Sequence, residues 1–270
     1  MNEQTSSAAT QLHRPTTQDR TAWCTYWQAK GQEWRTEPEI DEKRQIYLEK
    51  CRSIIPNINQ NIYPFKEVKL SRADVEWLLA THENGLGPVN WVDRLQRNRQ
   101  GLDLRGADLR QVDLSCLPLA GMCGGLTSEE WQTATIEQYT AARMHLEKAY
   151  LSKTRLEGAT LYGVHLDQAN LRGAHLEKAD LSWSHLERSI LSTAHLEGAD
   201  LRGAYFDTVT NLEKVLLGDE QHGFVLLLDV HWSGVNLSVV DWAQMKMLGD
   251  ERKARQKKKL DGKVKDKSYY

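Results

Sequence analysis

The chain lacks most of the features by which a sequence declares chemistry. It has no P-loop, no GxGxxG after a strand, no HExxH and no GxSxG, so nothing points to phosphoryl transfer, dinucleotide binding, zinc proteolysis or serine hydrolysis. Its four cysteines, at 24, 51, 116 and 123, show no CxxC spacing, and four in 270 residues make no disulfide framework. The longest clean apolar run, Phe224 to Leu228, falls far short of a bilayer span. The N-terminal MNEQTSSAATQLHR has no apolar core of a secretory signal. Net charge is also nearly absent, at -2. These absences predict a soluble, reduced, cytoplasmic chain that is not an enzyme and carries no cofactor.

The near-zero charge hides an asymmetry. Residues 250–267 hold nine Lys/Arg against four Asp/Glu, a net +5, which leaves -7 for the rest. Composition is otherwise that of a globular protein, 40% hydrophobic and 27% charged.

What is present is a period of five. Leucine or a substitute recurs at Leu146, Leu151, Leu156, Leu161, Leu166, Leu171, Leu176, Leu181, Leu186, Leu191, Leu196, Leu201 and Phe206. An earlier run does the same at Leu104, Leu109, Leu114 and Leu119. Two residues before most of them sits a small side chain, such as Ala107, Ala149, Ala159, Ala169, Ser184 or Ala199. On an α-helix a five-residue step turns about 140°, which scatters the leucines around the axis. On a strand an odd step flips each one to the other face. Only a backbone that turns a corner in every unit can aim all of them at one axis. The small partner also faces inward, where space is short.

The units Ala107-Asp108-Leu109-Arg110-Gln111, Ala169-Asn170-Leu171-Arg172-Gly173, Ala179-Asp180-Leu181-Ser182-Trp183 and Ala199-Asp200-Leu201-Arg202-Gly203 resemble the A(D/N)LXX unit of the pentapeptide-repeat family, known from bacteria. The resemblance covers about 102–120 and 144–242. It implies a mainly β fold, a right-handed quadrilateral β-helix with four units per coil and coils about 4.8 Å apart. Each buried leucine then contributes roughly 1.5–3 kcal/mol.

The expected organisation is a disordered stretch at 1–16, a small α-rich domain at 17–100, a β-helix at 101–242 with a helical insertion at about 121–143, and a charged helix or tail at 243–270. Within the α-rich part, helices are predicted over Thr17–Lys30, over Pro38–Arg52 with proline at the start, and over Ser71–His82. In the insertion, Thr127 and Glu130 form a capping-box pattern that opens a helix over about 128–142. After Phe206 the phase slips by one, to Leu212 and Leu217, then resets at Leu227, Trp232, Leu237 and Trp242. Larger residues fill the inward positions there, so Trp232 and Trp242 are expected to plug the solenoid end.

Outward positions twenty residues apart share a face. His145, His165 and His185 stack on one, beside Glu147, Asp167 and Glu187; His175 and His195 stack opposite, beside Glu157, Glu177 and Glu197. A His ladder beside carboxylates has the donors of a transition-metal site. At the rung spacing two imidazoles share an ion only if they tilt together, so a solvated surface is expected and no metal. Tyr162 and Trp183 fall on one face as exposed aromatics, the candidate contact site for a protein partner. His82, Glu83 and Asp93 have no partner constellation and read as helix-end and loop residues.

Three functions follow as alternatives. The first is a rigid scaffold for an unidentified protein partner. The resemblance implies a second, a DNA mimic that inhibits or protects a type II topoisomerase. Duplex DNA carries a charge per about 1.7 Å, so three coils need roughly nine. Residues 144–206 carry eight acids against seven Lys/Arg, which speaks against the mimic, and nucleic acid itself is not an expected partner. The third is a membrane-associated assembly through the basic tail.

Overall fold

A computed structural model describes residues 13–219 and 221–242 of the chain. The 243–270 tail and most of the 1–16 stretch lie outside the described residues.

Each unit of five closes with a turn. The N–H of the small residue donates to the carbonyl of the leucine three positions back, as in Ala149 to Leu146 at 3.0 Å and Ala169 to Leu166 at 3.0 Å. The third residue of each such turn has a positive φ, for example Lys148 at 60°, Gln168 at 60° and Arg188 at 59°. That is the signature of a type II turn. Between turns only a residue or two is extended, so coils pair through isolated parallel bridges and not through long strands. The bridges step by twenty residues, His145 to His165 to His185 and Asp180 to Asp200. Four units therefore make one coil. Leu151, Leu156, Leu161, Leu166, Leu171, Leu176, Leu181, Leu186 and Leu191 are all fully buried in one continuous core that also holds Leu104, Leu109, Leu114, Leu196, Leu201 and Phe206.

Interruptions leave this register intact. Asp108 bridges His145 and not a residue twenty further on. The segment between them adds seventeen residues at one corner. Beyond Phe206 one extra residue enters, so Ile190 pairs with Asn211 and His195 with Leu216. Five more enter through the antiparallel pair β1 (Gly218–Asp219) and β2 (Gly223–Phe224), so Asp200 pairs with Leu226.

The N-terminal region contains α1 (Arg20–Ala29), α2 (Glu42–Arg52) and α3 (Arg72–Ala80). The predicted start of α2 at Pro38 is four residues early. Asp41 supplies the cap instead, accepting from the Arg44 N–H at 2.9 Å. Ser71 and Asp74 form the predicted capping box of α3. The segment before α3 lies along the first coil as an extra rung: Leu70 donates to Asp108 O at 3.0 Å and Asp108 donates to Val68 O at 2.9 Å. Phe65, Leu70, Val75 and Leu78 join the same apolar cluster as the solenoid leucines. The helices thus cover the open end of the coil stack. Buried Glu76 ties them together, accepting from Arg72 Nε at 2.8 Å and from the N–H groups of Thr36 and Glu37, both at 2.9 Å.

The insertion is two short helices and not the one expected: α4 (Ser128–Trp131) and α5 (Ile136–Ala142). Each carries its own capping box, Thr127 with Glu130 and Thr135 with Gln138. The second box starts a new helix. At the far end, Trp232 stacks on Phe206 with centroids 5.1 Å apart, and Val225, Val235 and Val240 are buried. Trp242 lies at the rim, 36% exposed, its indole N–H donating to Leu237 O at 3.0 Å.

Candidate functional site

The coil presents four outward columns, defined by the bridge positions. One runs Asp108, His145, His165, His185, Tyr205, His231. The second runs Asp113, Tyr150, Asn170, Ile190, Asn211. The third runs Pro118, Arg155, His175, His195, Leu216, and the fourth Cys123, Thr160, Asp180, Asp200, Leu226. The two histidine ladders lie where the spacing placed them.

Their geometry follows from the unit. The histidine is the bridge residue and the acid lies two positions on, just after the leucine. The turn folds the acid back beside the ring. Nδ1 to carboxylate distances are 2.9 Å for His145 and Glu147, 3.1 Å for His165 and Asp167, and 3.2 Å for His175 and Glu177. His185 with Glu187 and His195 with Glu197 are both 3.3 Å. Burial pushes the Glu147, Asp167 and Glu177 carboxyls up, but the imidazole partner and a backbone N–H outweigh it and leave all three below their usual range. The bond to Glu197 raises His195. Along a column the rings stack in parallel, His165 on His185 and His175 on His195 at 4.6 Å, then His185 on Tyr205 at 4.7 Å and Tyr205 on His231 at 4.3 Å.

In other units the same i, i+2 spacing pairs an acid with arginine. Arg155 donates to Glu157, Arg202 to Asp200 and Arg110 to Asp108. The Arg110 guanidinium holds the Asp108 carboxyl down at about 2. Asp180 is bonded to Ser182 instead, and burial pushes it up. Seven of the eight acids in 144–206 thus carry a cationic or imidazole partner in their own unit.

The aromatic face differs from the sequence expectation. Tyr162 is buried, not exposed, because the insertion folds back over it. Trp131 of α4 and Tyr139 of α5 pack on its ring at 5.3 and 6.0 Å, and Tyr139 Oη donates to Gly163 O at 3.0 Å. A side chain at Gly163 would collide with the Tyr139 ring. Trp183 remains 39% exposed and Trp131 43%. Their rings are near parallel, 13° apart with centroids at 6.5 Å. They line a cleft of about 340 Å³ with Tyr162, Arg202 and Leu228. Trp131 and Leu228 were missed from sequence. The available signal was an apolar Trp/Ile/Tyr set on an insertion, which has to pack on some face.

His82, Glu83 and Asp93 each have partners near in sequence. His82 Nε2 meets Gln100 O at 2.8 Å, Glu83 pairs with Arg99, and Asp93 accepts from the Leu95 N–H at 3.0 Å. No helix among the described residues is long and apolar enough to cross a membrane.

The architecture is therefore that of a four-sided solenoid of five-residue units with helical cover at its first end. The pentapeptide-repeat profile matches residues 145–177 and 179–207, in eight copies, so this part of the chain is similar to proteins of that repeat family. Among solved structures it is similar to the pentapeptide-repeat protein Rfr23 from the cyanobacterium Cyanothece 51142, at 24% identity and TM-score 0.30, over 47% of this chain and 91% of that one. HetL from Nostoc sp. strain PCC 7120, involved in heterocyst differentiation regulation, is similar at 25% identity and TM-score 0.25, over 48% of this chain and 50% of HetL. Full-length QnrB1, a plasmid-mediated fluoroquinolone resistance protein, is similar at 17% identity and TM-score 0.14, over 57% and 92%. No curated protein matches the chain.

Proposed function

We propose that this chain is a non-catalytic, cytoplasmic scaffold, a right-handed quadrilateral β-helix whose Trp131–Trp183 face docks a protein partner. The observation that carries it is the placement of Trp183. It occupies the third turn position with φ 58°, which other units fill with glycine or with smaller or unbranched side chains such as Lys148, Gln168, Cys116 and Thr193. A bulky residue in that region is an outlier, and such backbone strain, on the order of 1–3 kcal/mol, persists where the surroundings hold it and clusters at binding sites. The ring lies flat on bare backbone: a Cβ at Gly203 would stand 2.7 Å from it. A rigid, half-exposed indole beside a second one is the composition of a protein-binding hot spot. Four free thiols accord with a reducing compartment.

Affinity capture with the full chain, with Trp183→Ala and with Trp131→Ala tests the face. A partner that drops at least tenfold with both substitutions is the expected result, and a partner retained by both moves the contact elsewhere. The topoisomerase mimic finds little support in a stretch, 144–206, whose eight acids are matched by seven Lys/Arg. A gyrase supercoiling assay at micromolar chain is expected to show no effect, and inhibition there would replace the scaffold reading with the mimic.

A further inference from the structure

The two histidine ladders carry an arrangement that the spacing alone did not disclose. In each, one imidazole and one carboxylate already lie at the separation of neighbouring ligands on a single ion. His165 Nδ1 is 3.1 Å from Asp167 Oδ2, and His175 Nδ1 is 3.2 Å from Glu177 Oε1. A tetrahedral ion with bonds of about 2.0–2.2 Å sets its ligand atoms roughly 3.3–3.6 Å apart. The next rung adds a second imidazole from above, stacked at 4.6 Å in both ladders. One ligand atom each from His165, Asp167 and His185 lie within 4.8 Å of one another, and the same holds for His175, Glu177 and His195. All six side chains are part-exposed and open to an ion from solution.

We propose that each ladder binds one divalent transition-metal ion, through His165, Asp167 and His185 on one face and through His175, Glu177 and His195 on the opposite face. The ion replaces the hydrogen that now bridges ring and carboxylate. The second imidazole closes by roughly 1.5 Å through side-chain rotation, and water fills the remaining positions. Two nitrogens and one carboxylate oxygen suit Zn²⁺, Ni²⁺ or Cu²⁺, and not Mg²⁺ or Ca²⁺, which take all-oxygen shells.

The register limits the count to two. His145 and His165 are 5.8 Å apart, further than the pairs above. Above His185 the column continues with Tyr205, and above His195 with Leu216, neither of which is an imidazole. Each site also joins two successive coils, so an ion acts as a clip across the stack and stabilises the folded chain by mass action.

Calorimetric titration of the full chain with Zn²⁺ tests this. Two equivalents are expected, with none for Mg²⁺. His165→Gln and His195→Gln each remove one equivalent, the double variant removes both, and His145→Gln keeps two. Asp167→Asn, which leaves both rings in place, weakens its site at least tenfold. Zinc raises the thermal midpoint of the parent chain and does not raise that of the double variant. Absence of saturable zinc binding, a single equivalent on the parent chain, zinc retained by the double variant, or equal binding of Mg²⁺ would each overturn the proposal.

Discussion

At Asp74 one carboxylate serves both a helix cap and an ion pair. Its Oδ2 accepts from the Ser71 N–H at 2.8 Å and from Arg44 Nη2 at 2.9 Å, while Oδ1 accepts from Arg44 Nε at 2.9 Å. Burial pushes the Asp74 carboxyl up, but Arg44 and Ser71 together outweigh it and leave it below the ordinary value. A folded pKa below the unfolded one means stability that is complete above the unfolded value, about 3.9, and lost as pH falls through the folded one. Asp74→Asn should therefore cost about 1–3 kcal/mol near neutral pH. The gap from the parent chain should be narrower at about pH 2.5, on the acid side of the unfolded value, than near neutral pH. Urea midpoints at the two pH values check this, and a gap of the same size at both would show that the charge at Asp74 contributes nothing. The capping box was legible from Ser71 and Asp74 alone. The Arg44 partner was not, because it lies thirty residues away and the contact exists only once α2 and α3 have packed.

At the scale of the element, the inward side of the solenoid could be read and its cover could not. Leucine at every fifth position leaves one geometry, and the bridge from His145 to His165 lies where the period put it. The histidine ladders follow from the same arithmetic. The unit that holds Tyr162 points it outward. It is buried because a different segment, α4 with α5, lies on top of it. No periodicity describes where an insertion folds back. What the register does describe is the insertion's length. Its seventeen residues enter and leave at one corner, so that Asp108 still pairs with His145. Removal of residues 126–142, which joins Gly125 to Arg143, should therefore restore an uninterrupted coil. The expected product keeps the parent far-UV circular dichroism of the solenoid and shows a red-shifted, more quenchable Trp183. Removal of 126–141 leaves one residue too many and turns every later side chain by one position. That product should fail to fold or lose most of its thermal stability. Equal stability of the two deletions would refute the register assignment.

For the whole molecule, the question is whether the helices and the coil stack are two bodies or one. Repeat proteins hold together through neighbour contacts, so an end without cover frays and the fraying propagates inward. Here α3 supplies the cover, and Leu78, fully buried, shares its apolar cluster with Leu104 and Leu109. Leu78→Ala lies outside every repeat unit, yet it should cost about 2–5 kcal/mol as a core truncation. Its effect should also be graded along the axis. Amide exchange should accelerate most in α3 and in the coil of Leu104 to Leu119, less around Leu151 to Leu166, and least around Leu186 to Leu201. Hydrogen-exchange mass spectrometry of the variant against the parent chain measures this profile. Acceleration confined to α1, α2 and α3 would mean that the helices merely sit beside the solenoid. A uniform rise across every coil would mean that the rod unfolds as one unit and that nearest-neighbour contacts do not set its stability. A gradient is what the geometry requires, because each coil hydrogen-bonds only to the coil above and the coil below it, as Leu146 to His165 and Leu166 to His185. Loss of the cover is therefore transmitted one rung at a time.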